Sequence, residues 1–201
     1  QLNGVEIKTN TEVTPELLKE FKPDAAILAT GSTPLILPIK GLSECGFITA
    51  HDMLDGKAQI GAKALVVGGG MVGCEAAEFL AERGHQVAVI EMKDVIGADV
   101  VPENKPFLFA NFDKHHVDLR PGAKVSEFFT DGVSYALADG TEGELRGFDN
   151  IILAMGSRSY NPLEETVKEF VPEVIVIGEA VKSPGNACIS TGEALNAALS
   201  L

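Results

Sequence analysis

A glycine-rich segment holds the residues whose types and spacing point to chemistry in this chain. Residues 64–73 read Ala-Leu-Val-Val-Gly-Gly-Gly-Met-Val-Gly, so an apolar run leads into the pattern Gly68-x-Gly70-x-x-Gly73. In such a pattern the first glycine makes a tight turn, the second lets the backbone approach a pyrophosphate, and the third lets a helix pack against a strand. N–H groups at the start of that helix carry partial positive charge and hold anions. The segment therefore predicts a dinucleotide site, with these residues at the pyrophosphate: Gly68, Gly69, Gly70, Met71, Val72 and Gly73.

An acid stands at the end of the next apolar run. Residues 86–90 alternate into a β-branched strand, and Glu91 follows the first glycine by 91 − 68 = 23 positions. An acid that binds the ribose hydroxyls is expected about 20 positions after the turn. A carboxylate there accepts hydrogen bonds from an unphosphorylated ribose and repels a 2′-phosphate, which favours NAD over NADP. Lys93 leaves NADP open, because a nearby cation softens that repulsion, and Met92 and Lys93 are candidate contacts beside Glu91.

The elements expected around these residues form a unit of the α/β class. The run at 64–67 is uninterrupted and apolar, as a parallel strand covered on both faces requires. Apolar residues then recur at helical spacing until Gly84 ends the helix. Residues 124–146 alternate and contain two Asp-Gly turn signals, which predicts a small antiparallel meander. The sequence therefore predicts a Rossmann-like domain with a parallel sheet and a small antiparallel meander.

Two segments on either side of this unit end alike. Residues 27–32 read Ile-Leu-Ala-Thr-Gly-Ser, and residues 152–157 read Ile-Leu-Ala-Met-Gly-Ser. Each places a small-residue turn at the carboxyl end of a buried strand, the edge at which open sheets bind ligands. The repetition suggests that the chain leaves one domain and later returns to it. The expected division is an outer domain in two pieces, 1–40 and 151–201, with an inserted domain at 41–150. A further strand is expected at residues 5–8.

Composition limits the partners and the compartment. With 16 basic and 29 acidic residues the net charge is −13, which argues against nucleic acid as a partner. No apolar run approaches the roughly 20 residues of a membrane span, and no leader segment opens the sequence. No membrane partner is therefore expected. The three cysteines are far apart and suit a reducing compartment, so a cytoplasmic location is expected.

No residue is assigned a catalytic or metal-binding role. The sequence shows no Ser-His-acid triad, no paired carboxylates and no metal-ligand spacing, and no C-x-x-C of a redox-active disulfide. Cys74 begins the helix after the glycine turn, where a helix N-terminus lowers the pKa of a thiol. The alternative is a small residue packed between helix and sheet, and we favour that alternative.

These motifs resemble the two-dinucleotide flavoproteins, in which an NAD(P) domain is inserted into an FAD domain. Members carry A-T-G where the chain leaves the FAD domain, G-x-G-x-x-G in the inserted domain, A-x-G where the chain returns to the FAD domain, and G-D near the end. The matching residues here are Ala29-Thr30-Gly31, Gly68 to Gly73, Ala154-Met155-Gly156 and Gly178-Glu179. Within that fold, residues 49–57 and 69–75 are similar to the C-terminal part of the NADH:flavin oxidoreductases, which include enoate reductase and 2,4-dienoyl-CoA reductase.

The resemblance implies cofactors for both domains. The inserted domain would bind NAD(H), and 1–40 and 151–201 would be pieces of an incomplete FAD-binding domain that lacks its own glycine fingerprint. Glu179 stands where the family usually has Asp, at a contact with the ribityl chain of the flavin. An FMN barrel and a [4Fe-4S] centre would belong to a missing upstream part. The resemblance places Ala154, Met155 and Gly156 beside the nicotinamide, and it assigns these residues to the FAD side: Ala29, Thr30, Gly31, Gly178 and Glu179.

The implied function is that of a nucleotide-binding portion of an NADH-dependent flavoprotein oxidoreductase. NADH would be placed for hydride transfer to FAD, and electrons would pass on to an unsaturated acceptor. Its partners would be NADH and the missing N-terminal barrel and FAD-domain segments of the same polypeptide, so the isolated chain is expected to have little activity. The alternative is a non-catalytic NAD-binding module or subunit that senses NADH or completes its FAD site with a partner chain.

Overall fold

The computed structural model describes residues 4–201, which fall into two compact units. Unit 1 comprises residues 4–33 and 158–201, and unit 2 comprises residues 34–157. The chain changes unit at 33/34 and 157/158, whereas the sequence interpretation placed the changes at 40/41 and 150/151. The return differs because the strand at 150–153 pairs inside the sheet of unit 2. The assignment of the two units to FAD and NAD stays a prediction.

Strands and helices alternate through much of the described chain. In chain order they are α1 (Pro15–Phe21), β1 (Ala25–Leu28), β2 (Ser32–Pro34), β3 (Ile48–Thr49), α2 (Ala50–Leu54), β4 (Lys63–Val67), α3 (Met71–Glu82), β5 (Gln86–Ile90), α4 (Lys105–His115), β6 (Asp118–Arg120), β7 (Ala123–Phe129), β8 (Gly132–Leu137), β9 (Glu142–Leu145), β10 (Asn150–Leu153), β11 (Ser157–Ser159), α5 (Glu164–Lys168), β12 (Glu173–Val176) and α6 (Ala187–Ser200). A 3-10 turn, Gly178–Ala180, follows β12. The α/β class predicted from the sequence is confirmed.

A parallel sheet of five strands forms the centre of unit 2. Its order is β3-β10-β4-β5-β6, and all of these strands run parallel. In β4 and β5 every residue after the first is buried, which explains why both appear in the sequence as unbroken apolar runs. The parallel direction gathers the carboxyl ends of the strands at one edge, where the glycine turn follows β4.

Alternate residues of β4 and β5 serve two different cores. Val66 and Val89 face a cluster that includes Cys74 and Leu80 of α3 and Phe112 of α4. Their neighbours in the strands face a second cluster, which contains Phe128 and Val133 of the meander. Because successive side chains of a strand point to opposite faces, one apolar run supplies both layers. Helices therefore cover one face of the sheet, and part of the other is covered by the antiparallel strands β7, β8 and β9.

Unit 1 is built on a shorter parallel pair of strands. β1 pairs with β12 from Ala25 opposite Glu173 to Leu28 opposite Val176. Its buried cluster consists of Leu18, Leu28, Val167 and Val171. Helix α6 begins after Asn186, whose side chain accepts a hydrogen bond from the N–H of Ile189 at 2.9 Å.

The strand predicted at residues 5–8 is wrong, because these residues form no strand. Across residues 4–201 no helix combines the length and the apolar character needed to cross a membrane.

Candidate functional site

The glycine turn between β4 and α3 is tight enough to exclude side chains at two positions. Gly68 has φ +107°, a backbone conformation that favours glycine, and a Cβ added there would lie 2.2 Å from the carbonyl oxygen of Ala154. A Cβ added at Gly73 would lie 1.9 Å from the carbonyl oxygen of Gly68. Both collisions are with backbone, so neither is relieved by moving a side chain. The helix consequently begins directly against the end of β4, with its first N–H groups at the strand's carboxyl edge.

Glu91 is fixed against this turn although it lies 22 residues after Gly69. One carboxylate oxygen, Oε2, accepts a hydrogen bond from the N–H of Gly69 at 2.6 Å. The other, Oε1, accepts from the N–H of Lys93 at 2.8 Å. Glu91 is only 8% exposed, and it is the one acidic residue among the buried residues of the described chain. The backbone donors offset the cost of burying the charge, and each carboxylate oxygen keeps capacity to accept a further hydrogen bond. Met92 and Lys93 are exposed beside it.

A second carboxylate reaches the same turn, and sequence reasoning missed it. Oδ1 of Asp99 accepts a hydrogen bond from the N–H of Met71, the first residue of α3, at 2.8 Å. Gly70 is the N-cap residue of this helix and has no side chain to cap it. Asp99 thus supplies the acceptor that a serine or aspartate at the N-cap usually provides. It lies 28 residues from Met71 in an irregular loop, so no motif spacing could have identified it.

The turn after β10, residues 154–156, lies beside the glycine turn on the same edge of the sheet. Ala154 follows β10, and its N–H donates to the carbonyl oxygen of Val67 at the end of β4, at 2.8 Å. Met155 is half-buried and packs against the second cluster, which contains Phe128 and Val133. Gly156 is exposed, with φ +98°. Unit 2 therefore brings together three groups of predicted site residues: 68–73, 91–93 and 154–156.

The remaining predicted site residues lie together in unit 1. Because β1 and β12 are parallel, the turns that follow them share one edge: Ala29, Thr30 and Gly31 after β1, and Gly178 and Glu179 after β12. Glu179 links its turn to the segment after β1, since its carboxylate accepts from the hydroxyl of Ser32 at 2.8 Å. It also accepts from the N–H of Gly185, six residues further along the chain, at 2.7 Å. The N–H of Gly178 donates to Glu193 of α6 at 2.6 Å. The longer side chain found in place of Asp is therefore engaged in bonds within the protein.

Burial decides the chemistry of Cys74. Although it lies in the first turn of α3, the pKa of its thiol is raised to about 12, mainly by burial and also by the nearby carboxylates of Asp99, Glu75, Glu91 and Glu78. The thiol is therefore protonated and inert near neutral pH. In residues 4–201 no three His, Cys, Asp or Glu side chains are grouped so that they could hold a metal ion.

Comparison with known proteins agrees with this geometry. The family model described as pyridine nucleotide-disulphide oxidoreductase matches residues 1–171. The chain is 32% identical over 186 residues to a cinnamate reductase of Clostridium sporogenes, covering 89% of this chain and 27% of that protein. It is 35% identical over 182 residues to an NADH oxidase of Thermoanaerobacter brockii, covering 88% and 28%. The solved structure of a 2-naphthoyl-CoA reductase complex matches with a TM-score of 0.84 and 29% identity, over 90% of this chain and 28% of that one.

These matches define the class of the protein. The chain is part of an oxidoreductase, because the relatives that it matches are reductases and an oxidase. The chain belongs to the pyridine nucleotide-disulphide oxidoreductase family. The resemblance to the C-terminal FAD- and NAD(P)-binding portion of the NADH:flavin oxidoreductases is confirmed. The chain spans 27% and 28% of the length of the two relatives named above.

Proposed function

We propose that unit 2 binds NADH at the glycine turn and places it for hydride transfer to FAD in the full-length protein. The observation that carries this proposal is the bond between the Glu91 carboxylate and the N–H of Gly69, at 2.6 Å. It joins the residue assigned to the ribose with the turn assigned to the pyrophosphate. A strand-turn-helix without a ligand role has no need of a buried acid at this place, because burying a charge is costly.

The residues of unit 2 fit a dinucleotide in three respects. The positions 68–70 carry no side chains of their own between the strand and the helix, as close approach of a diphosphate to the backbone requires. The N–H groups of the first turn of α3 favour an anion. The half-buried Met155 and the exposed Gly156 offer an apolar and an open position on the same edge for the nicotinamide half.

Selection of NADH over NADPH follows from the position of Glu91. Its carboxylate is held by two backbone donors and is almost fully buried, so it cannot turn away from a 2′-phosphate without losing both bonds. Bringing a phosphate against a fixed carboxylate is costly in a site of low dielectric. The side chain of Lys93 is the group that would offset this repulsion if NADPH also binds.

The flavin side of the proposal depends on unit 1. When bound, FAD would accept the hydride and pass electrons on to an unsaturated acceptor. In this chain the turns after β1 and β12 would contact it, with Glu179 linking the second turn to Ser32, the residue that follows the first. The rest of the FAD site, FMN and [4Fe-4S] would belong to segments outside these 201 residues. We place the protein in the cytoplasm, which its three free cysteines suit.

Calorimetric titration of the 201-residue chain with NADH and with NADPH tests the proposal. We expect NADH to bind more tightly, by roughly tenfold or more, since one unfavourable charge contact costs on the order of 1–2 kcal/mol. The Glu91→Gln variant removes the repelling charge, so the ratio of the two dissociation constants should fall towards one. Glu142→Gln, an exposed acid of β9 with the same change of charge, is the control and should leave the ratio unchanged. Tighter binding of NADPH by the unsubstituted chain would remove the role given to Glu91.

A further inference from the structure

Asp99 occupies the position at which the proposed pyrophosphate site offers its donors. Its Oδ1 accepts the hydrogen bond of Met71 N–H at 2.8 Å, and both of its carboxylate oxygens lie 3.3 Å from the place of a Cβ on Gly70. Gly70 is the glycine that the motif assigns to close approach of the pyrophosphate. A carboxylate and a phosphate are both anions that helix N-termini attract. The two groups would therefore compete for one set of N–H donors.

The loop that carries Asp99 is anchored on both sides of it. The N–H of Gly97 donates to the carbonyl oxygen of Gly69 at 2.6 Å. Ile96 and Val100 are buried, at 5% and 9% exposure, in the core that also contains Cys74. Asp99 itself is exposed between these anchors. Its side chain can thus turn out into solvent while the loop backbone stays in place.

Within residues 4–201 no salt bridge neutralises the charge of Asp99. Among the ion pairs of residues 4–201 none includes Asp99. The other acid at the turn, Glu91, is bonded to Gly69 and Lys93 and so does not take part in this contact. Competition at the helix terminus is therefore between the Asp99 carboxylate and whatever anion enters the turn.

We propose that Asp99 is an internal competitor that caps α3 in the free protein and lowers its affinity for the dinucleotide. The proposal rests on the proposed function of the glycine turn and adds the residue that sets its affinity. In the free protein Asp99 stabilises α3 by accepting the bond of Met71. Binding of a dinucleotide requires the hydrogen bond between Met71 and Asp99 to break. The interaction gained between the pyrophosphate and the helix is therefore partly offset by the loss of that bond.

Opposite changes of stability and affinity distinguish this role from a structural one. Asp99→Asn keeps the size of the side chain and removes its charge, and Asp99→Ala removes the acceptor altogether. For both we expect NADH to bind roughly three- to tenfold more tightly, the range produced by one charged contact at a helix terminus. We also expect the melting temperature of the free variants to fall by about 2 °C. A residue that merely shapes the loop would lower both affinity and stability.

The experiment is calorimetric titration of the whole 201-residue chain with NADH, together with thermal unfolding. Asp94→Asn is the matched control, because Asp94 is an exposed acid of the same loop whose carboxylate lies near Gly122 instead of Gly70. Tighter NADH binding by both Asp99 variants, with the Asp94 variant unchanged, is the expected result.

Three results would overturn the inference. If the unsubstituted chain binds NADH and the Asp99 variants bind equally or less tightly, Asp99 is no competitor, while the proposed function stands. If Asp94→Asn strengthens binding as much as Asp99→Asn does, the effect is one of general charge and not of the contact with Met71. If neither the unsubstituted chain nor any variant binds NADH, the inference and the proposed function fail together.

Discussion

Two carboxylates meet the glycine turn, and they do so through different donors. Glu91 accepts from Gly69 and Asp99 accepts from Met71. The sequence could predict the first, because its offset from Gly68 is part of a recurring pattern. It could not predict the second, because the position of Asp99 is set by the packing of Ile96 and Val100 under an irregular loop. Motif spacing thus locates residues in regular elements and fails for those placed by a loop.

Thiol reactivity is a residue-scale prediction. At pH 8 we expect iodoacetamide to label Cys188 quickly and Cys74 and Cys45 slowly in the folded chain. Cys188 is exposed, while burial raises the pKa of the thiols of Cys74, to about 12, and Cys45. With that pKa only about one Cys74 thiol in ten thousand is ionised at pH 8, and the thiolate is the nucleophile.

Mass spectrometry of the labelled protein checks this pattern. Cys188→Ser should abolish the fast reaction, and the chain in denaturant should take up label at all three cysteines. Rapid labelling of Cys74 in the folded chain would mean that the terminus of α3 activates the thiol in spite of its burial.

At the scale of elements, apolar patterning predicted the strands of the sheet and missed what depends on pairing. The apolar runs before Gly68 and before Glu91 are β4 and β5. Residues 5–8 do not form the predicted strand, because a strand needs a neighbouring strand to receive its backbone hydrogen bonds. Helix α6 begins at Ala187 because the side chain of Asn186 caps it, and hydrophobic periodicity does not reveal such a bond.

Two helical glycines should respond to alanine in opposite directions. In α3, Gly73→Ala would place a Cβ 1.9 Å from the carbonyl oxygen of Gly68, so we expect it to cost about 3 kcal/mol of unfolding free energy. In α6, Gly192 has no atom within 4 Å of an added Cβ. Gly192→Ala should stabilise its helix by about 0.5–1 kcal/mol, because alanine has the higher helix propensity.

Urea unfolding followed by circular dichroism measures both changes. The second substitution serves as the control for the first, since each replaces a glycine within a helix. If the two substitutions change the unfolding free energy equally, the close contact between α3 and the turn is not the reason for a glycine at position 73.

At the scale of the whole molecule, the order of elements was predictable and the division into units less so. Repetition of the Ala-x-Gly turns predicted that the chain leaves one region and later returns to it. It could not show that β10 pairs with β4, which assigns the strand before the second turn to unit 2.

Binding of NADH at the glycine turn of unit 2 would change the surroundings of the backbone amides of that turn. Amide chemical shifts of the 21.2 kDa chain, followed by NMR during titration with NADH, test the location of binding most directly. We expect the largest shift changes at residues 68–73 and 91–93, with small changes at 29–31 and 178–179. Largest changes at the turns of unit 1, or no change at the glycine turn with NADH in large excess, would contradict it.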